Sequence, residues 1–346
     1  MFRKSIAQKG MGVLNYAPTL PHNKFRKLLP SPLFRILACL VIGAGLASTA
    51  FADPYSLGSA GQFAVLGFGN GFTNQFQPGP LTVNGNVGVG AGGDMILQGA
   101  GQTISGHVYY ADPITASNFS ATGTNNINGM PCSSFATCTG NGSVTQNTSL
   151  VTSASTAVAA MYNSAKALNA PTTGAPTGNL SSNFTWNGNG GTNVASLTSL
   201  NLSSGDTLTL TGTASDFFVF NISGGWNMSG SGHIVLNGVS SDHVLFNLLK
   251  SADGGNGAAI GASGSALGYG ILLALDRNIT FDTPGGAWNG RLFSDTDSTI
   301  HLFSEATINQ PTPPGEAPEP ASMVLLGLGL MGTAGVIRRR RNAKSA

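Results

Sequence analysis

The sequence predicts an all-β domain, a β-helix (β-solenoid) with one long α-helix on its flank; a β-sandwich is the alternative. Glycine makes up 49 of the 346 residues, about twice the usual ~7%. Short segments of alternating apolar and polar residues recur along the chain, and one long amphipathic segment interrupts them. Only 9% of the residues are charged, far below the roughly 25% of ordinary soluble domains, which excludes a coiled coil.

The strands are predicted from alternation. Residues 207–213 read Thr-Leu-Thr-Leu-Thr-Gly-Thr, and this period of two predicts a strand with leucines in the core and threonines outside. The outward residues are Thr207, Thr209, Thr211 and Thr213. Similar segments recur about every 8 to 15 residues, with Gly, Asn and Ser between them. This spacing fits both a β-helix and a β-sandwich.

The long helix is predicted from about Ser149 to Asn169, and Pro171 ends it. Its apolar positions fall three or four residues apart; they are Leu150, Ala154, Val158, Met161, Ala165 and Leu168. Such a helix is about 30 Å long, which matches about six layers of strands stacked ~4.8 Å apart. This length suits the side of a β-helix better than a β-sandwich.

The charges are segregated along the chain. Seven Lys and Arg residues precede Asp53 and five follow Ile337, so only four lie between, whereas residues 53–316 carry 13 of the 14 acidic groups. The predicted domain, residues 53–316, therefore has a formal charge of −9. This excludes a nucleic-acid-binding function based on a basic surface.

Residues 1–52 are predicted to be a secretory signal peptide with a long basic leader. An apolar run from Ile36 to Leu46 is followed by small residues and by Ala50-Phe51-Ala52. The charged region, the short apolar region and the Ala-x-Ala site are typical of secretion. Cleavage is expected after Ala52, and the domain is expected to leave the cytoplasm through the secretion machinery.

Residues 317–346 have the organisation of a second sorting signal. Pro318-Glu319-Pro320 precedes an uncharged stretch, residues 321–337, and then Arg338-Arg339-Arg340-Arg341. The 17 uncharged residues would form a helix of about 26 Å, the low end of what spans a bilayer. The arginines favour an orientation with the acidic domain outside, and a plain membrane anchor is one interpretation.

This tail also resembles the PEP-CTERM sorting signal of Gram-negative bacteria, because all three parts occur in order at the end of the chain. The resemblance implies recognition by an exosortase, a transient stay in the inner membrane, and cleavage near Pro318-Glu319-Pro320. The mature protein would then be released to the envelope, the cell surface or the extracellular matrix.

Cysteine use agrees with export. Without the leader, Cys132 and Cys138 remain as an even pair that closes a short loop. A disulfide is favoured in an oxidising compartment. Two thiols without a nearby histidine make a poor metal site.

The domain resembles the choice-of-anchor A family and the related ice-binding-like β-helix proteins. The matching segments include residues 57–67, 83–89 and 104–108, then the helix, and later residues 208–212 and 288–292. The resemblance spans about Tyr55 to Asn309. It implies an irregular right-handed β-helix with a flanking helix, displayed through varied anchors, with a proposed adhesive role.

No residue pattern predicts catalysis. The histidines at 107, 233, 243 and 301 are scattered through strand patterns, and no nucleophile-elbow or His-Glu metal motif occurs. We predict no enzyme, no cofactor and no metal site. Two alternatives stay open: calcium held by Asp295 and Asp297 with Asp253 or Asp276, and polysaccharide hydrolysis by carboxylates among Asp216, Asp242 and Asp276.

The remaining candidate for function is the outward face of the strands. Trp226 and Trp288, with Trp186 and Tyr269, could stack on sugars beside Asn-rich hydrogen-bonding groups. We therefore predict an adhesive protein that binds extracellular polysaccharide or a neighbouring cell. The alternative is an ice-binding protein that uses the threonines, although only one Thr-x-Thr run is evident.

Overall fold

A computed structural model describes residues 53–168, 170–258, 260–303 and 305–312. This part of the chain contains 25 short strands, two α-helices, α1 (Phe135–Gly140) and α2 (Thr148–Ala167), and short 3-10 turns such as Gly58–Gln62 and Ser241–His243. The strands are β1 (Phe63–Gly67), β2 (Thr73–Phe76), β3 (Leu81–Asn84), β4 (Asn86–Val89), β5 (Asp94–Leu97), β6 (Gln102–Ile104), β7 (Val108–Tyr110), β8 (Phe119–Ala121), β9 (Asn125–Ile127), β10 (Met130–Cys132), β11 (Val144–Gln146), β12 (Thr177–Leu180), β13 (Phe184–Asn187), β14 (Thr192–Leu202), β15 (Thr207–Thr211), β16 (Phe217–Ile222), β17 (Trp226–Met228), β18 (His233–Asn237), β19 (Val244–Leu248), β20 (Ile260–Ser263), β21 (Leu267–Ala274), β22 (Ile279–Asp282), β23 (Ala287–Ser294), β24 (Thr299–Leu302) and β25 (Thr307–Asn309).

The strands form a β-helix with three faces. In the described residues all strand pairs are parallel except β9 with β10. The covered face consists of β16, β19, β1, β4, β7 and β11, with the first half of β14 and the second halves of β21 and β23. The mixed face consists of the end of β14 with β17, β20, β22, β24, β2, β5 and β8. The neutral face consists of β13, β15, β18, β25, β3, β6 and β9, with the first halves of β21 and β23. The predicted fold class is thus confirmed, and the β-sandwich is excluded.

The chain does not wind from one end of the β-helix to the other. It starts in the middle at β1, winds to one end at β9, and returns along the outside through α2. The coils from β12 onward then wind back to the middle, where β23 pairs with β1 and β25 pairs with β3. As a result, the first and last coils of the domain are neighbours in one continuous ladder.

The length of α2 matches the distance that it must cover. From β7 to β16 the covered face contains six strand spacings, about 29 Å at ~4.8 Å each. The 20 residues of α2 give about 30 Å. The side-chain amide of Asn221 donates hydrogen bonds to the carbonyls of Ala165 (2.8 Å) and Leu168 (2.9 Å) and so caps the C-terminal end. The prediction of a helix from about 149 to 169 agrees to within two residues.

Two hydrophobic cores result from this arrangement. One fills the inside of the β-helix, and the other lies between α2 and the covered face, where Val158 and Met161 pack near Leu245 and Phe293. Because the covered face has a core on each side, every residue of β1, β16 and β19 is buried. The neutral and mixed faces, by contrast, alternate between buried and accessible positions, so a ligand can reach only these two faces along the strands.

A buried arginine on the last coil, Arg291, holds both the first coil and the turn Ser241–His243. The Arg291 guanidinium, fully buried, donates to both carboxylate oxygens of Asp242 (2.9 and 3.1 Å) and to the carbonyls of Gly61 (2.7 Å) and Phe63 (2.8 Å). It also contacts the Pro311 carbonyl at 3.3 Å. One side chain of β23 thereby holds the entry to β1 and the segment after β25.

Glycine allows the strands to change face and to pack closely. Gly270 has φ = +119°, a conformation that favours glycine, at the point where β21 passes from the neutral to the covered face. Gly268 lies opposite Trp288 on β23, and a Cβ atom at position 268 would overlap the indole ring. These roles give a physical reason for part of the high glycine content.

The predicted disulfide is present. Cys132 and Cys138 are bonded, with their Cα atoms 4.7 Å apart, and both are buried beside α1 at one end of the β-helix. The predicted signal peptide with Ala50 and Ala52 lies outside the described residues, as does the sorting tail from Pro318 to Arg341. None of the helices in the described part of the chain is both long and apolar enough to cross a membrane.

Candidate binding surface

In the described part of the chain no other element covers the neutral face, and this face has no formal charges. Its outward residues in the described strands include no Lys, Arg, Asp or Glu. The mixed face, in comparison, carries Asp94 and Asp282. A face of short neutral side chains can approach another polar surface without the cost of desolvating an unpaired charge.

The predicted threonines of β15 lie on the neutral face. Thr207, Thr209 and Thr211 are partly exposed, while Leu208 and Leu210 are fully buried, as the alternation predicts. Thr213 differs, because it lies beyond the strand at a corner. Its hydroxyl donates to Asp216 at 2.9 Å, so Thr213 stabilises the corner instead of extending the row.

The fold assembles a second row of threonines that the sequence does not reveal. Thr307 on β25 pairs with Thr82 on β3, which pairs with Thr103 on β6. Neighbouring hydroxyls are therefore about 4.8 Å apart along the stack. The row crosses the junction of the last and first coils, so residues 225 positions apart become neighbours, and no local pattern could have identified it.

An asparagine ladder runs beside this row. The Asn84 side-chain amide donates to Asn309 at 2.7 Å, and that of Asn309 donates to Asn289 at 2.8 Å. These bonds fix the amide orientations. Among the described residues no hydrogen-bond partner is found for the side-chain hydroxyls of Thr82, Thr103 and Thr307, which leaves them free to bind an external surface.

A hollow interrupts the face near its middle. Only His233 and Leu267 pair between β18 and β21, and the strands leave a shallow cavity of about 310 Å³ lined by Val235, Leu267 and Tyr269. The neutral face thus has two threonine patches, on β15 and on β25–β3–β6, with Tyr269 partly exposed between them.

The prediction that tryptophans contact a ligand is wrong. Trp226 and Trp288 are 0% and 1% exposed, and Trp186 is 2% exposed. Trp226 and Trp288 pack edge to face in the core, with ring centroids 5.4 Å apart. Trp226 and Trp288 occupy inward positions of their strands. The adjacent residues, Asn227 and Asn289, point outward, as alternation along a strand requires.

The candidate catalytic carboxylates belong to separate structural networks. Asp216 accepts hydrogen bonds from the amides of Gly190 (2.7 Å) and Thr213 (2.8 Å) and from Asn193 (3.0 Å). Burial raises the pKa of Asp216, but these hydrogen bonds outweigh burial and leave the pKa below its ordinary 3.8. Asp242 is paired with Arg291. The structure therefore gives each of these two carboxylates a partner within the fold.

Two of the candidate calcium ligands, Asp295 and Asp253, are also engaged elsewhere. The Asp295 carboxylate accepts from Lys250 at 2.7 Å, and Asp253 accepts from Lys166 at 2.9 Å and from the Tyr162 hydroxyl at 2.6 Å. Within residues 53–312, as far as they are described, no group of three His, Cys, Asp or Glu residues could hold a metal ion. The scattered histidines form no cluster; burial lowers the pKa of His301 on the mixed face.

Several solved structures are similar to this one. An ice-binding protein from an Arctic yeast is 22% identical with a TM-score of 0.50, over 77% of this chain and 98% of that one. An ice-binding protein from an Antarctic biological consortium is 18% identical with a TM-score of 0.49, over 76% and 93%. The ice-binding protein 1 domain of Shewanella frigidimarina is 18% identical with a TM-score of 0.48, over 75% and 98%. A sequence comparison with curated proteins finds no match.

Two family profiles match the sequence itself. The PEP-CTERM protein-sorting motif matches residues 316–341. This is the tail that was predicted to be a sorting signal, and the match indicates an exported protein. The Ice-binding-like profile matches residues 69–306, almost the entire β-helix. The chain therefore belongs to the Ice-binding-like family.

Proposed function

We propose that this exported protein binds ice through its neutral face. The observation that carries the proposal is the row Thr307–Thr82–Thr103, three hydroxyls in register on adjacent strands of a face without formal charges. A rigid parallel ladder holds such groups at a fixed spacing, so they can bind an ordered array of water molecules without losing side-chain freedom on contact. Ice binding is also the function named for the Arctic yeast protein, whose fold is similar.

The test is thermal hysteresis and ice recrystallisation with a matched pair of variants. Thr82→Tyr introduces a large ring in the row on the neutral face. Thr280→Tyr is the control: it lies on the mixed face, and, like Thr82, it is the second residue of a four-residue strand between two buried residues. We expect activity in the wild type, loss in Thr82→Tyr and retention in Thr280→Tyr. If only Thr280→Tyr loses ice activity, the ice-binding site lies on the mixed face. No ice activity in the wild type would reject ice binding.

Adhesion to extracellular polysaccharide or to a neighbouring cell is a second candidate, and the hollow at Tyr269 favours it. Sugars stack on partly exposed aromatic rings, and Asn289 and Asn237 lie on the same face. In a pulldown with the exopolysaccharide of the host, we expect Tyr269→Ala to reduce retention and Thr280→Tyr to retain it. Equal retention of both variants would reject this site. Release of reducing sugar would instead indicate an enzyme.

The route to the surface is part of the proposal. The leader is removed after Ala52, residues 321–337 hold the precursor transiently in the inner membrane, and exosortase cleaves near Pro318-Glu319-Pro320. The PEP-CTERM match over residues 316–341 supports this order. Mass spectrometry of the mature protein should find no C-terminal peptide that contains Arg338 to Arg341; a mature protein that retains the four arginines would contradict it.

A further inference from the structure

A second cavity lies away from the neutral face, where the chain enters the β-helix. It measures about 440 Å³, within the roughly 300–1,000 Å³ typical of small-molecule sites. Its lining includes the turn Gly58–Gln62 and the rings of Phe217 and His243. Tyr55 and Asp53 complete the lining.

The aromatic wall is rigid. The His243 and Phe217 rings are stacked, with centroids 3.9 Å apart and planes at 21°, and Tyr55 meets Phe217 edge to face at 5.6 Å. The Tyr55 hydroxyl donates to the backbone carbonyl of Asp242 at 3.0 Å. Burial, with the nearby Asp242 and Asp53 carboxylates, raises the pKa of Tyr55 well above its ordinary value, so this hydroxyl stays protonated and keeps the ring in place.

The polar groups around the cavity differ in their availability. The Asp242 carboxylate is paired with Arg291 and is therefore not available to a ligand. Gln62 and Asp53 are exposed, and no side-chain hydrogen-bond partner is found for either among the described residues. The Nδ1 atom of His243 is buried and has no partner in the described part of the chain. The cavity therefore combines a fixed aromatic wall with two exposed polar side chains, those of Gln62 and Asp53.

We propose that this cavity binds one neutral sugar ring, at the end or within a glycan. A sugar presents an apolar C–H face that packs against an aromatic ring, and its hydroxyls both donate and accept, as the Gln62 amide and the Asp53 carboxylate require. The cavity volume accommodates one such ring. The site is separate from the ice-binding surface, so either function can fail without the other.

Saturation-transfer NMR on the purified exported protein tests this inference, with D-glucose, D-galactose and N-acetyl-D-glucosamine as probes. We expect saturable binding of at least one probe in the wild type. His243→Ala should weaken that binding about tenfold, whereas His243→Phe, which keeps a ring, should restore most of it. Gln62→Ala removes an exposed side chain and should weaken binding severalfold with unchanged stability.

Thr82→Tyr is the control for the neutral face, and we expect it to bind the sugar like the wild type while it loses ice activity. The inference is overturned if no probe binds saturably to the wild type. It is overturned equally if a bound probe is unaffected by both His243→Ala and Gln62→Ala.

Discussion

Asp242→Asn removes one charge from the buried ion pair between Arg291 on β23 and the turn Ser241–His243. The substitution keeps the size of the side chain but leaves the Arg291 guanidinium, with a side-chain exposure of 0%, without a counter-ion. The three carbonyl acceptors of Arg291 remain, yet carbonyl groups do not compensate a full charge. Breaking a buried pair by removing one partner costs about 3–5 kcal/mol.

This cost is measurable by thermal unfolding of the exported protein. For a domain of this size about 1 kcal/mol shifts Tm by roughly 2–4 °C, so Asp242→Asn should lower Tm by about 6–20 °C. Asp282→Asn, on the exposed end of β22, is the control and should change stability by no more than about 0.5 kcal/mol. Equal Tm values for the two variants would refute the conclusion that the buried pair of Arg291 with Asp242 stabilises the fold.

Three further changes test other parts of the fold. Cys132→Ser, which opens the loop closed by Cys138, should lower the free energy of unfolding by about 2 kcal/mol, and an unchanged denaturation midpoint would contradict the role of the disulfide. The pKa of Asp216 is lowered in the folded state, so the ionised carboxylate contributes its full stabilisation above the ordinary pKa of 3.8 and loses it as pH falls through the folded-state pKa. Asp216→Asn should therefore flatten the acid limb of a curve of stability against pH, and identical limbs for the two proteins would contradict this role. Gly268→Ala places a Cβ atom against the Trp288 ring and should cost about 1–3 kcal/mol, with a shifted tryptophan fluorescence spectrum; wild-type stability and spectrum would show that the ring has room.

The fold was predictable where the pattern is local. The alternation of Leu208 and Leu210 with threonines predicts the strand and its orientation, and the apolar spacing through Val158 and Met161 predicts the helix. The helix length even indicates a stack of strands. Each of these properties depends on residues within one element, so neighbouring positions in the sequence contain the information.

The binding surface was less predictable because it depends on which strands become neighbours. Thr82 and Thr307 pair only because α2 returns the chain to the far end, which makes the last coil meet the first. Aromatic composition was also misleading, because Trp226 and Trp288 fill the core. The strand of Trp226 has only three residues, which is too little alternation to assign its side. Arg291, similarly, is a cation of the predicted domain that the fold buries completely.

Incorporation into growing ice tests the central claim most directly. Fluorescently labelled exported protein is added to a dilute solution from which a single ice crystal grows slowly, so that solutes without affinity for ice are excluded. We predict that the wild type and Thr280→Tyr enter the crystal and that Thr82→Tyr stays in the liquid. Exclusion of the wild type, or equal incorporation of the wild type and Thr82→Tyr, would contradict ice binding by the neutral face.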